Sequence, residues 1–190
     1  MVDYKSDIRK YIEMEREALT SLPVEDINQV MNVLEQARLD GRRVFICGNG
    51  GSASTASHFE CDFNKGVSYE QDVKYDFECL SDNVPMMMAI ANDIGYEDVF
   101  LVPLKNKLKP KDVVIGISGS GNSENVVRAL EYANERGAET IALVGYDGGK
   151  LKKLAKYHVH VNIENMQITE DLHLVLDHMM MYILSGMKGC

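Results

Sequence analysis

Apolar residues in the first forty positions recur at helical spacing. Ile8, Tyr11, Ile12, Glu15 and Leu19 trace one face of a helix over roughly residues 3–20, apolar except at Glu15. Leu22-Pro23 opens a second helix, because proline is tolerated in a first turn, and Asp40-Gly41 closes it. Ile27, Val30, Met31, Leu34 and Ala37 repeat along its length. Packing is the role these two helices suggest, within the chain or against another copy of it.

After Gly41 the period changes. Short runs of continuous apolar character, at 44–47, 113–117, 140–144 and 158–161 with a weaker one at 77–80, alternate with helical stretches. Strands apolar on both faces and separated by helices predict a parallel sheet covered on both sides. The first strand leads into a helix reaching about Asn64, and the third into one ending at Arg136-Gly137. A last helix is expected from about Glu170 to Met187, carrying Leu172, Val175, Leu176, Met179, Met180 and Ile183. The polar segment 65–74 reads as a mobile loop. The expected fold class is therefore α/β, a five-stranded parallel sheet with helices on both faces, preceded by two N-terminal helices. It spans one domain, with the leading helices in 1–40 and the core and C-terminal helix in 42–190.

Composition narrows the function. With 190 residues, 45% hydrophobic and 26% charged, the chain suits one domain with a substantial core and is not a disordered segment. A net charge of −9 argues against nonspecific nucleic-acid binding and against a polybasic membrane surface. An anionic small ligand is still compatible, since a nest of backbone amides holds a phosphate inside an acidic protein. Cys47, Cys61, Cys79 and Cys190 form no C-x-x-C pair, which suits free thiols in a reducing compartment. The charged N-terminus lacks the apolar core of a signal peptide, and no apolar run nears the roughly 20 residues of a membrane span. A soluble, cytoplasmic protein with neither nucleic acid nor membrane as partner is the expectation.

Two turns could carry chemistry. Gly48-Asn49-Gly50-Gly51-Ser52-Ala53 matches G-x-G-x-x-A and opens a helix rich in small polar residues, which suits a ligand at a helix N-terminus. Alone the match is weak, and a ligand-free tight turn is the bland alternative. No G-x-x-x-x-G-K-[ST] occurs, so a P-loop is excluded. The second turn, Ser118-Gly119-Ser120-Gly121-Asn122-Ser123, again joins a buried strand to a helix. It breaks the G-x-S-x-G pattern of a nucleophilic serine. Three hydroxyls at a positive helix end suit a phosphate cradle, whereas a simple helix cap needs only one.

Ionisable residues form a third group. His58 and Asp62 lie four apart and share a helix face. Glu170, His173 and His178 fall on the last helix. His173 and His178 are offset by about 140°, so they cannot both face one site, and one of them is structural.

In order along the chain, Gly48-Asn49-Gly50-Gly51-Ser52, His58, Ala91-Asn92-Asp93 and 116–123 are joined by 145–150 and His173…His178. This set resembles the sugar-isomerase (SIS) fold, and more narrowly the phosphoheptose isomerase family, over essentially the whole chain. The resemblance implies a flavodoxin-like sheet and a homotetramer with active sites between subunits. It implies isomerisation of sedoheptulose 7-phosphate to D-glycero-D-manno-heptose 7-phosphate through an enediol. Substrate contacts are implied at Asn49, Gly50, Gly51, Asn92, Asp93, Ser118, Gly119, Ser120 and Ser123. A zinc site is implied at His58, Asp62, Glu170 and His178, with Asp62 and His178 as the proton-transferring pair. Two positions depart from the family pattern. Asp62 replaces a glutamate and Glu170 a glutamine. The alternatives are non-catalytic relatives, one binding a replication initiator and one sensing a sugar phosphate. The former branch lacks the C-terminal histidine and alters the glycine turn, both of which are intact here.

Overall fold

The protein is seen here as a computed structural model that describes residues 2–186. Five parallel strands form one sheet in the order β2-β1-β3-β4-β5, with β1 at Val44–Gly48, β2 at Phe77–Cys79, β3 at Val113–Ser118, β4 at Glu139–Val144 and β5 at Tyr157–His160. This is the flavodoxin-like order that the family resemblance implied. Successive side chains of a strand point to opposite faces, and the core divides accordingly. Val44 and Ile46 join Ile115, Ile117, Leu143 and Val159 on one face, while Phe45 and Cys47 join Val114, Ala142 and Val144 on the other.

The first face is covered by α2 (Val24–Leu39), α3 (Gly51–Cys61) and α8 (Met166–Leu184), through residues such as Leu34, Phe59 and Leu176. The second is covered by α4 (Val84–Asp93), α5 (Leu101–Lys107), α6 (Glu124–Glu135) and α7 (Gly149–Leu154), through Ile90, Leu104, Leu130 and Leu151. The leading helix α1 (Lys5–Thr20) packs on α8, with Ala18 set against Ile168 and Leu172. Only Ala18 of α1 is buried.

Three features differ from the sequence expectation. Segment 65–74 is not a loose loop. A π-helical turn, Asp62–Val67, continues directly from α3 and buries Phe63 and Val67. The backbone amide of Tyr75 then donates to Ser68 Oγ at 2.8 Å, and Lys74 Nζ to the Ser68 carbonyl at 2.7 Å. Helices α4, α5 and α7 were not read from the pattern. The last helix begins four residues early, at Met166, because Asn165 caps it by accepting from the Ile168 amide. The expected end at Met187, like Cys190, lies outside the described residues. The other three cysteines are free thiols. Among the described residues no helix is long and apolar enough to cross a membrane.

Candidate active site

In an open parallel sheet, the strand order reverses beside the first strand, and the carboxyl ends there frame a crevice. Both glycine-rich turns lie at that point, at the ends of β1 and β3. Gly48 lets α3 close on its strand, since a Cβ would come within 2.7 Å of the Ser52 carbonyl oxygen. Gly50 precedes α3 at φ +55°, a left-handed conformation that glycine enters without steric cost. Asn49 is fastened in place. Its amide exchanges two 2.9 Å hydrogen bonds with buried Asn125 of α6, and the Tyr96 hydroxyl donates to its Oδ1 at 2.7 Å. A cavity of about 420 Å³ opens here, lined by Asn49, Tyr96, Ser123, Asn125 and Arg128 among others.

The second turn is braced from behind. The Gly119 carbonyl accepts from the Gly145 amide at 2.9 Å, and the Gly121 carbonyl from the Leu151 amide at 3.0 Å. Asn122 Oδ1 accepts from the Lys150 amide at 3.1 Å. The 145–150 segment is thus the buttress of the serine turn. Ser118 Oγ and Ser123 Oγ lie 3.0 Å apart, and neither bonds the first turn of α6. Ser120 Oγ accepts from the Asn122 amide at 3.2 Å. Gly119 packs on Met166 and Thr169, so the serine turn rests on the first turn of α8.

Further along α8, a cluster of ionisable groups meets α3 and the π-helical turn. His58, Asp62, Asp177 and His178 each offer one atom to a group whose members all lie within 4.8 Å of one another. The two Nε2 atoms of His58 and His178 are 3.1 Å apart, with the rings edge to face, and His58 Nε2 is 3.5 Å from Asp62 Oδ2. Asp62 opens the π-helical turn; such turns recur at functional sites. Two imidazoles and a carboxylate form a donor set that suits a borderline divalent ion such as zinc. Asp177 is fully buried, and neither of its oxygens has a hydrogen-bond partner. Burial, reinforced by the nearby Asp62 charge, pushes its carboxyl up to about 8.

The structure therefore brings His58, Asp62 and His178 together, as the spacing and resemblance suggested, but not Glu170. On a continuous helix, eight residues separate Glu170 from His178 by about 12 Å. The Glu170 carboxylate instead covers Gly51, where a Cβ would collide with it. His173 is the structural histidine of the pair. It is wholly buried, and desolvation, only partly opposed by the Val144 backbone, lowers its imidazole to about 4. Asn92 and Asp93 lie exposed at the end of α4 and bond each other, Asn92 Nδ2 donating to Asp93 Oδ1 at 2.7 Å. Nothing within the chain draws these two side chains to the cluster. Asp177, Asn125 and Tyr96 were not anticipated. For Asp177 a signal existed, a carboxylate on the apolar stripe of an otherwise buried helix face.

Comparison with known proteins places this geometry. The SIS domain profile matches residues 3–145. The probable phosphoheptose isomerase of Thermoplasma volcanium is 34% identical over 187 residues, covering 98% of this chain and 95% of that protein. The phosphoheptose isomerase of Helicobacter pylori strain P12 is 36% identical over 165 residues, 87% of this chain and 85% of its own. Among solved structures, phosphoheptose isomerase from Neisseria gonorrhoeae superposes with a TM-score of 0.85 at 29% identity, over 95% of this chain and 96% of that one. The Francisella tularensis phosphoheptose isomerase shares the fold, with a TM-score of 0.89 at 24% identity, over 97% of this chain and 100% of that one.

Proposed function

The chain belongs to the SIS-domain phosphoheptose isomerase family, and on that premise we propose that it interconverts sedoheptulose 7-phosphate and D-glycero-D-manno-heptose 7-phosphate. The observation that carries the reading is the layout of α8. Its first turn supports the serine turn and its fourth contributes to the histidine–carboxylate cluster. Thr169 and His178 are nine residues apart, a rise of roughly 13 Å. An extended seven-carbon sugar phosphate spans about 10 Å from C1 to phosphorus, at ~1.2 Å per bond. With a contact at each end it bridges the two groups. A triose phosphate, about half as long, falls short.

The phosphate is held by Ser118, Ser120 and Ser123 with the amino end of α6, where free N–H groups and the helix dipole favour an anion. Asn49, Gly50 and Gly51 flank the sugar, joined in the assembly by Asn92 and Asp93. At the reacting end, the Asp62 carboxylate takes the proton from C1 of the ketose and returns it to C2. His178 moves the hydroxyl proton from O1 to O2, completing the exchange through an enediol. When bound by His58, Asp62 and His178, a divalent ion, zinc by the donor set, supplies Lewis-acid stabilisation of the charge that develops on those oxygens. The whole chain acts as one SIS domain and assembles as a homotetramer, supported by the apolar side chains that α1 leaves exposed. The free thiols suit the reducing cytoplasm.

Incubation with sedoheptulose 7-phosphate, followed by NMR of the sugar, tests the reading. The aldose signal is expected with the full-length protein. Asp62→Asn and His178→Asn should each slow its appearance by about 10²–10⁴-fold. Absence of turnover in the wild type, or full turnover in both variants, would refute it. The replication-initiator and sensing alternatives predict no turnover at all.

A further inference from the structure

We infer that the end of the sheet opposite the catalytic crevice holds a second site, for a nucleoside phosphate. Residues 41–43, 76 and 112 immediately precede β1, β2 and β3, so they gather at the amino ends of the strands. A cavity of about 210 Å³ lies there, lined by Arg42, Arg43, Lys107 and Lys109 with Asp76 and Asp112. A second cavity, of about 270 Å³, also has Arg42 in its wall. Val33, Ala37, Val113, Tyr157 and Lys111 are among its other lining residues. The Arg42 guanidinium therefore stands between a polar chamber and one with an apolar wall.

The carboxylates around Arg42 are already engaged. Asp76 accepts from Arg43 Nε at 2.8 Å, and Asp112 accepts from the Lys109 and Arg43 amides at 2.8 and 3.2 Å. In the second cavity Asp40 accepts from Gln36 Nε2 and Glu139 from Lys156. The side chains of Arg42, Lys109 and Lys111 have no ion-pair or hydrogen-bond partner among the described residues. Arg42 Nε is moreover shut off from water without an acceptor. A buried donor left unmade is costly, and native chains seldom keep one without a use. Lys111 is held at φ +71°, a left-handed conformation that costs a residue with a side chain energy and that persists at functional positions. In a chain of net charge −9, unpaired cations around two adjoining cavities make a local field that selects an anion. A guanidinium meets a phosphate through two parallel hydrogen bonds, and each lysine adds a point charge. The wall of Val33, Ala37 and Val113 beside the Tyr157 ring receives a flat base, and gives a bare phosphate nothing. A nucleoside diphosphate satisfies both chambers. Its site faces away from the glycine and serine turns, so it does not compete with the sugar phosphate.

The test is calorimetry of the full-length protein with ADP, inorganic pyrophosphate and adenosine. ADP is expected to bind at one site per chain and at least ~10-fold more tightly than pyrophosphate, with no binding of adenosine at millimolar concentration. Arg42→Gln should weaken ADP binding at least ~10-fold. Without ADP, that variant should unfold at or above the wild-type temperature, because a buried unpaired donor has gone. Should it fold poorly, Lys109→Gln combined with Lys111→Gln, both at exposed positions, should weaken ADP by a similar factor. Ser120→Ala combined with Ser123→Ala should bind ADP as wild type does. The inference is overturned if ADP does not bind, if pyrophosphate or adenosine binds as tightly as ADP, or if the Arg42 and lysine variants keep full affinity. It is overturned equally if the serine variant loses ADP, because the nucleotide then occupies the catalytic crevice. No arm reads turnover, so a chain that fails to isomerise the heptose phosphate leaves this result standing.

Discussion

Ser118 and Ser123 hold their hydroxyls 3.0 Å apart at the start of α6, and neither spends its oxygen on the helix. Hydroxyls placed so are available to a phosphate. Replacing both Ser120 and Ser123 by alanine should weaken sugar-phosphate binding by about 1–3 kcal/mol, the worth of hydrogen bonds to a charged group. Calorimetry with sedoheptulose 7-phosphate reads the effect, and an unchanged affinity in a folded double variant would remove the serines from the site. This turn was legible in the sequence because its strand, turn and helix are contiguous. Its buttress at 145–150 and the Asn49–Asn125 lock were not, since those contacts join positions 76 residues apart in the latter case. Asp177 was missed for a related reason. Spacing along one helix shows which residues share a face, but which of two helices meets that face is decided by packing. Only when α3 is laid against α8 does Asp177 stand beside His58 and Asp62. Asp62 opens a π-helical turn, which periodicity at helical spacing does not announce.

At the scale of elements, the strands and long helices were read within a few residues, because buried parallel strands and amphipathic helices leave strong patterns. The unread ones are short or interrupted. Helix α7 has six residues, too few for a period, and α5 carries Pro103. Helix α4 did announce itself through an Asn83 cap and Pro85 in its first turn, a signal that the pattern reading passed over. Helix α8 carries a buried histidine as well as the cluster, and this gives the fold an acid sensitivity. In the unfolded chain the His173 imidazole titrates near 6.5, whereas burial lowers it to about 4 in the native state. Between those values the unfolded state binds the extra proton, so stability falls as pH drops through that window and is fully regained above it. The loss amounts to on the order of 3 kcal/mol for a group so completely buried. Urea unfolding at pH 7 and pH 4.5 should therefore show a smaller difference for His173→Leu than for wild type. Other groups, such as Glu35 and Glu124 with their lowered carboxyls, titrate in both proteins and cancel in that comparison. Equal pH dependence in the two proteins would mean that His173 takes up its proton without unfolding.

At the scale of the molecule, α1 presents an unfinished surface. Ile8, Tyr11, Ile12 and Leu19 form the stripe that the pattern assigned to packing, yet they are 56%, 36%, 59% and 41% exposed. Tyr182 and Ile183 at the end of α8 are exposed as well. A groove of about 320 Å³ runs between, lined by Leu19, Leu22, Val24, Ile27, Met31, Met179 and Ile183 among others. Monomeric proteins rarely leave contiguous apolar surface of this kind, and a helix of sixteen residues held by one buried side chain is marginal alone. Closed symmetric assembly covers such faces with copies of themselves. The proposed homotetramer uses the α1 stripe in this way. Light scattering of the wild type at micromolar concentration is expected to give four times the chain mass. Glutamate at both Ile8 and Ile12 would bring like charges together across a self-complementary contact, and should shift the scattering mass to dimer or monomer. Because α1 contributes little to the core, the variant should keep its sheet and its thermal transition while losing assembly. Turnover should fall with the mass, since Asn92 and Asp93 reach no cluster within their own chain and are expected to act across the interface. A wild type that scatters as a monomer, or a double variant that stays tetrameric and fully active, would exclude α1 as the assembly face.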